Sequence, residues 1–425
     1  MRCLNWMAAG LAGWLMSGTA AAHEFQGELT LRAFGRVSSD TPLVNYAGTR
    51  MQLRYEHHTQ GFSVYAEGRF RWNGVFMGDP PYSQAARDAY EFAFDLREAY
   101  VQVPWAGFDW SLGWQQVVWG KADQLRILDQ INPLDLREFV LLDMKDYRKP
   151  IPMLRLNGMV RQWETELLYV PTFTPIDFAK PGSEYAFQLI PNVPGVRELP
   201  SASYDNVGER GQAGMRLSRS FEGLDLSLVG LYTRDSIPVL SQSLEADLLG
   251  PYVGLRKQYH RFFMAGTSFA APVSGSTVLR GEFYYIPAKT FMLKDAGLSD
   301  GLERRGEVAA MLALDYTYGN WLFSVQALNR TIIDWAPRLS NAENTPTFTV
   351  SAQGNSFDGR LETRIFLAAM PVTGDGSWLQ VKNTYSFDDH FSTAFVVDLM
   401  QGPKDGFFGR FSDRDRVGLE LTYRF

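Results

Sequence analysis

Residues 49–72 read TRMQLRYEHHTQGFSVYAEGRFRW, and their alternation constrains the fold more than any other feature of the chain. Met51, Leu53 and Tyr55 alternate with Arg50, Gln52, Arg54 and Glu56. Past the turn, Phe62, Val64, Ala66, Phe70 and Trp72 alternate with Ser63, Tyr65, Glu67, Arg69 and Arg71. Successive side chains of a strand point to opposite faces, so each strand has an apolar face with aromatic ends and a densely charged face. A soluble sandwich would turn the polar face to bulk water and the apolar face to a second sheet. Long Arg and Glu side chains on adjoining strands suit an enclosed wet lumen, where cross-strand ion pairs form. The chain also stops on such a strand. In VGLELTYRF, Val417, Leu419, Leu421, Tyr423 and Phe425 share one face, and Gly418, Glu420, Thr422 and Arg424 the other. Chain ends ordinarily fray. A terminal strand this regular needs partners on both edges, which a closed barrel supplies.

The same reading applies to 27–37, 94–103, 108–119, 153–161, 163–171, 210–220, 223–233, 258–270, 276–286, 306–318, 320–331, 359–370, 376–387, 391–401 and 415–425. Tight connections (HHTQG, PWAG, FEG, PVSG, YGN) alternate with long ones at 73–92, 120–152, 171–209, 234–257 and 287–305. Outer-membrane barrels have short periplasmic turns and longer outer loops, so the first strand starts in the periplasm and the strand number is even. With one further strand in TPTFTVSAQ (345–353) the total is eighteen, and sixteen is the alternative if two weak segments are loop. The expected fold is therefore an all-β, transmembrane antiparallel barrel of about eighteen strands, filling 23–425 as a single domain.

The N-terminus, MRCLNWMAAGLAGWLMSGTAAAHEF, has a positive start, a short apolar core and small residues at Ala20, Ala21 and Ala22. That is the pattern of a secretory signal peptide over 1–22, cut before His23. The one cysteine, Cys3, lies within it, leaving the mature chain without disulfide or thiolate chemistry. Export without cysteines favours a Gram-negative envelope. After the signal no apolar run approaches the ~20 residues of a membrane helix, while aromatics are 14% of the chain. The net charge of -6 leaves no nucleic-acid footprint.

The third outer connection, counting the one between the first two strands, reads with its flanking residues GWQQVVWGKADQLRILDQINPLDLREFVLLDMKDYRKPIP. Asn132 as cap, Pro133 at the first helical position and Asp135 in the first turn predict a helix over LREFVLL. The loop either folds inward to constrict the lumen or caps the barrel from outside. Its charges, Lys121, Asp123, Asp129, Asp135, Arg137 and Glu138, must pair if buried. They would pin the loop to lumen arginines such as Arg54 and Arg69, and would set up a transverse field that selects polar or charged solutes. Trp114 and Trp119 are assigned to the outer aromatic girdle rather than to a substrate platform.

The segments QQVVWGKAD and INPLDLREF, with the ending FFGRFSDRDRVGLELTYRF, resemble a proteobacterial outer-membrane family of unknown function, along the whole chain. The resemblance implies an outer-membrane barrel without a known substrate, often beside efflux-type or lipid-handling systems. Its signature positions here would be Gln115, Gln116, Trp119, Gly120, Lys121, Asp123, Asn132, Pro133, Asp135, Arg137 and Glu138. The ending also resembles the signal by which barrel-insertion machinery takes up its clients, with Phe425 last.

Three functions follow from different classes. The first is a porin-like channel for small polar or amphipathic solutes, its constriction set by Gln115, Gln116, Lys121, Asp123, Asn132, Asp135, Arg137 and Glu138. Arg50, Arg54, Glu56, Glu67, Arg69 and Arg71 would be its lumen wall. The second is the outer-membrane part of a lipid or hydrophobic-compound export system, with an inner-membrane efflux or lipid transporter as partner. The third, a phospholipase-type hydrolase, needs Ser and His with an orienting group. No serine stands in a GxSxG elbow, His57, His58 and His390 fall in turns, and only His260 starts a strand. No catalytic residue, cofactor or metal is therefore assigned. The HH pair reads as a solvated turn with its rings on opposite faces, and SDRDR (412–416) as a polar outer loop rather than a calcium or lipopolysaccharide site. Expected contacts are outer-membrane lipid and lipopolysaccharide.

Overall fold

The structure is a computed structural model that describes residues 22–37, 44–77, 81–186, 189–190, 193–201, 211–248, 250–295, 297 and 299–425. Residues 1–21 of the expected signal peptide lie outside the described residues. Eighteen strands form one sheet, in chain order β1 (Ala22–Arg36), β2 (Val44–His58), β3 (Ser63–Asn73), β4 (Phe92–Trp105), β5 (Phe108–Gln115), β6 (Ile151–Val160), β7 (Trp163–Val170), β8 (Gln212–Phe221) and β9 (Leu224–Arg234). They continue through β10 (Arg261–Ser274), β11 (Thr277–Met292), β12 (Leu302–Tyr318), β13 (Trp321–Ile332), β14 (Asn344–Ser356), β15 (Leu361–Met370), β16 (Gly376–Ser386), β17 (Phe391–Gln401) and β18 (Arg416–Arg424). Each is antiparallel to the next, and β18 pairs back onto β1 from Glu28↔Arg424 to Arg36↔Arg416. Closure removes both sheet edges. The Phe425 amide donates to Gly27 O at 3.0 Å and the Gly27 amide to Phe425 O at 2.8 Å, which ties down the last residue.

The eighteen-strand expectation holds, including the strand at 345–353. One end of the barrel carries tight turns, as at Ala106 (φ 53°) and Gly107 (φ 80°), whose paired left-handed conformations match the twist of a hairpin. The other end carries the long connections. Two boundaries differ from the sequence reading. β5 ends at Gln115, and 116–119 leave the sheet. The long stretch 234–257 contains a hairpin of its own, Val239–Asp247 with Gly250–Gln258, joined in parallel by Val196–Leu199.

The outward face is apolar all round, with Leu31, Leu312, Val325, Phe395, Leu419 and Leu421 exposed. The inward face divides into two arcs. From β2 through β4 and from β15 round to β1 it is ionic, with Arg32, Arg50, Arg69, Arg364, Lys382, Arg416 and Glu420. From β6 to β13 it is largely apolar: Met153, Leu168, Leu231, Met264, Met311 and Leu328 all point inward and are buried. The ionic inner face that the alternation implied is continuous only on the first arc; on the second, ion pairs such as Arg155 and Arg216 with Glu166, Arg280 with Asp315 and Lys289 with Glu307 stand among the apolar residues. There, apolar side chains line both faces, and loop residues cover the inner one.

Candidate functional site in the lumen

The connection 116–150 enters the barrel and crosses the lumen. Its first part packs against the apolar arc. Trp119, Ile127, Leu128 and Ile131 join a single cluster with Val229, Leu231, Met264, Tyr284 and Met311. Burying a Leu or Ile contributes about 1.5–3 kcal/mol, so this segment is a packed insert rather than a mobile flap. Inward-facing Gly214 makes room for it, because a Cβ there would stand 2.6 Å from Trp119 Cη2. Glu282 on β11 receives the backbone of the insert: its carboxylate accepts the amides of Lys121, Ala122 (2.7 Å) and Leu128 (3.1 Å). Asp123 pairs with Arg280 at 2.5 Å and accepts from Gln326 at 3.0 Å.

The base of the loop is closed by Asn132. Its Nδ2 donates to the carbonyls of Gln115 (3.0 Å) and Lys149 (2.7 Å), and its Oδ1 accepts the Val117 amide at 2.8 Å. These bonds explain why no helix starts there. The groups that a cap would serve are replaced by distant backbone, and Asp135–Leu136 instead pairs in parallel with Asp177–Phe178. The predicted helix over LREFVLL is therefore absent, and the loop's helix is one turn, Met144–Tyr147.

The second part of the loop faces the ionic arc. Phe139, in a left-handed conformation (φ 54°), is wedged against Phe411 and Phe407, with ring centroids 4.8 Å and 4.9 Å away. Asp146 then reaches Arg69 at 2.5 Å and Arg50 at 3.1 Å. Asp143 reaches Arg364 at 2.5 Å and Lys382 at 3.8 Å. Burial would raise the Asp146 carboxyl, but Arg50 and Arg69 outweigh it and hold the group below the usual carboxylate range. Asp143 is held low in the same way, against burial, by Arg364 and Lys382. Asp135 is held low, against burial, by Arg137.

The sequence-predicted site residues divide accordingly. Gln115 donates to Met153 O (3.2 Å), and Gln116 donates its amide to Glu98 (2.8 Å), so both hold the loop's root. Arg137 bridges Asp135 (2.5 Å) and Asp95 (3.0 Å). Glu138 meets Arg71 at 3.3 Å and Arg32 at 3.8 Å. The Lys121 amide goes to Glu282. Of the two arginines expected to pin the loop, Arg69 does so. Arg54 does not: it pairs with Glu67 at 3.1 Å along the wall. Glu56 meets His58 at 3.3 Å. Trp114 faces outward and is exposed, but Trp119 is turned in and only 2% exposed, so its assignment to the outer girdle is corrected. His57 is likewise not in a solvated turn; it is buried and stacked on His23 at 4.4 Å. Within 412–416, Arg416 lies inside the lumen, paired with Asp398 at 2.8 Å.

The residues missed by sequence are Asp143, Asp146, Arg364, Lys382, Glu420 and Glu282. The charge density of DMKDYRK and the alternating polar residues of 276–286 were the available signals. All of these residues but Glu282 bound, with Arg50, a cavity of about 460 Å³ on the short-turn side of the loop. A narrow space of about 30 Å³ beside Phe34, Leu141, Leu142 and Val396 shares Asp143, Arg364 and Lys382 with it and lies toward the long-loop end. A chamber of about 60 Å³ lies there, between Tyr46, Tyr82, Glu138 and Tyr185. Among the described residues no group of three or more His, Cys, Asp or Glu side chains could hold a metal ion.

The sequence model of the family described as "Protein of unknown function (DUF1302)" matches residues 39–307. No curated protein matches the chain. Among solved structures, Acinetobacter baumannii OccAB4 superposes with a TM-score of 0.54 at 11% identity, covering 95% of this chain and 98% of that one. OccAB2 of the same organism gives 0.54 at 9% identity, covering 95% and 98%. OccAB3 gives 0.51 at 10% identity, covering 95% and 99%. At these identities the likeness concerns the closed eighteen-strand barrel alone.

Proposed function

The chain belongs to the DUF1302 family of unknown function, and we propose that this member is an outer-membrane channel that passes small polar or amphipathic solutes. The observation that carries the reading is the division of the lumen. One half is filled by a packed loop segment. The other keeps a file of spaces between fixed charges that share lining residues, from the chamber at the long-loop end to the 460 Å³ cavity at the short-turn end. Glu138, Asp143 and Asp146 on the loop face Arg32, Arg50, Arg364 and Lys382 on the wall. The spaces beside these ion pairs are lined by both signs of charge, an arrangement that orders water and favours dipolar solutes.

The outward apolar belt supports an outer-membrane setting, with lipid and lipopolysaccharide as its surroundings. The strand ending in Phe425 is the segment that barrel-insertion machinery would take up. A role in hydrophobic-compound export, with an inner-membrane transporter as partner, would need the apolar arc to be open. Trp119, Ile127 and Leu128 fill it, which favours the polar path. Proteoliposome swelling tests the proposal. Liposomes carrying the purified chain should swell in isosmotic glycine, a dipolar solute of five non-hydrogen atoms, whereas protein-free ones should not. Carriers that stay rigid in every small sugar and amino acid would contradict it.

A further inference from the structure

We propose that the chamber at the long-loop end is a binding site for a small neutral solute that carries hydroxyl groups on an apolar frame. This deepens the channel reading, on which it rests for the solute's passage but not for its binding. The chamber is about 60 Å³. One water needs about 10–15 Å³ by such a measure, so the space takes roughly five non-hydrogen atoms. Five rings line it, with Phe76 5.0 Å from Tyr82 and 5.9 Å from Tyr90. Ring faces suit C–H surfaces of a solute.

Charge does not select the ligand, because each charged wall residue is already matched. Arg71 meets Asp95 at 2.9 Å, Arg137 meets Asp135 at 2.5 Å, and Arg416 meets Asp398 at 2.8 Å. Glu184 is held by Arg36 and Arg414. An ion entering here would lose its water and meet no spare counter-charge. Hydrogen bonding does select. Asn45 Nδ2 donates to Glu184 at 3.2 Å, which fixes its Oδ1 as an acceptor. That Oδ1, the Tyr46 hydroxyl, the Tyr185 hydroxyl, and Nε and Nη2 of the ion-paired Arg71 are buried and have no hydrogen-bond partner among the described residues. Buried polar atoms in native proteins are nearly always partnered. Two hydroxyls, one acceptor and the Arg71 donors around the chamber match solute hydroxyls, which donate and accept at once.

Saturation-transfer NMR on the detergent-solubilised full chain tests this, with propylene glycol, lactate and propylammonium as probes. Propylene glycol should receive saturation from the protein in preference to both ions. Tyr46→Phe and Tyr185→Phe keep the rings and should each weaken binding about tenfold, the worth of one hydrogen bond. Heat-modifiable migration on gels serves as the folding check. Lactate binding as well as the diol, a double variant that binds like wild type, or no transfer to the diol would overturn the inference. Planar-bilayer current from the same preparation separates the two readings: diol binding without current sinks the channel alone.

Discussion

Asp146, on the single helical turn of the lumen loop, lies 2.5 Å from Arg69 of the barrel wall, with both side chains buried. Wall and loop are seventy-seven residues apart in sequence, so this contact fixes where the loop stands across the ionic half of the lumen.

Removing one partner of a buried ion pair costs about 3–5 kcal/mol. Asp146→Ala leaves Arg69 and Arg50 without their loop carboxylate. We expect amide exchange over 141–148 to accelerate by about a hundredfold, the lower end of that range, while the barrel strands keep their protection. Single-channel conductance should rise in the same variant.

The pH response has a definite sign. Arg50 and Arg69 hold the Asp146 carboxyl below its ordinary value despite burial. A depressed carboxylate contributes stability above its unfolded value of about 3.9 and loses it as pH falls through the folded value. Conductance should therefore stay level from neutral pH down to about pH 4 and climb below it. Asp146→Asn should show the higher level already at neutral pH, with a weaker response to acid.

Glu282 accepts three loop amides from inside the barrel. In Glu282→Ala these donors lose their acceptor, at about 1–3 kcal/mol each where they stay buried. Thermal unfolding followed by tryptophan emission should begin earlier. Glu282→Gln retains one carbonyl oxygen and should fall between the two.

Gly214 and Trp119 make a complementary test of the packed half. A side chain at 214 would meet the indole, and overpacking of this kind costs about 1–3 kcal/mol. Gly214→Val should shift tryptophan emission to the red and expose Arg126 to trypsin, with barrel assembly on gels unchanged.

Strand number, the alternating turn lengths and the ionic face of 49–72 were legible in the sequence because alternation records a contrast between two environments. Where the inner face is itself packed, as at Ala309, Met311 and Ala313 beside outward Leu312 and Leu314, the contrast vanishes and the interior cannot be read. The lost helix has a similar cause. Asn132 and Pro133 have the local chemistry of a helix start, yet Asn132 bonds backbone at 115, 117 and 149, contacts set by tertiary structure. Trp119 was misplaced because it was grouped with Trp114 at the strand end, although two positions five residues apart fall on opposite faces and the strand itself ends at Gln115. Asp143 and Asp146 were visible only as a charge cluster, since their partners lie on β2, β3, β15 and β16.

The central claim is that solutes and ions cross along the ionic arc and not through the apolar one. Cysteines placed at Thr384, which lines the short-turn cavity, and at Ala309, buried in the packed half, test it in planar bilayers with a charged thiol reagent. The account predicts stepwise current that drops on modification of Thr384→Cys and is unaffected in Ala309→Cys. No current from the folded chain, or block at Ala309→Cys with none at Thr384→Cys, would contradict it.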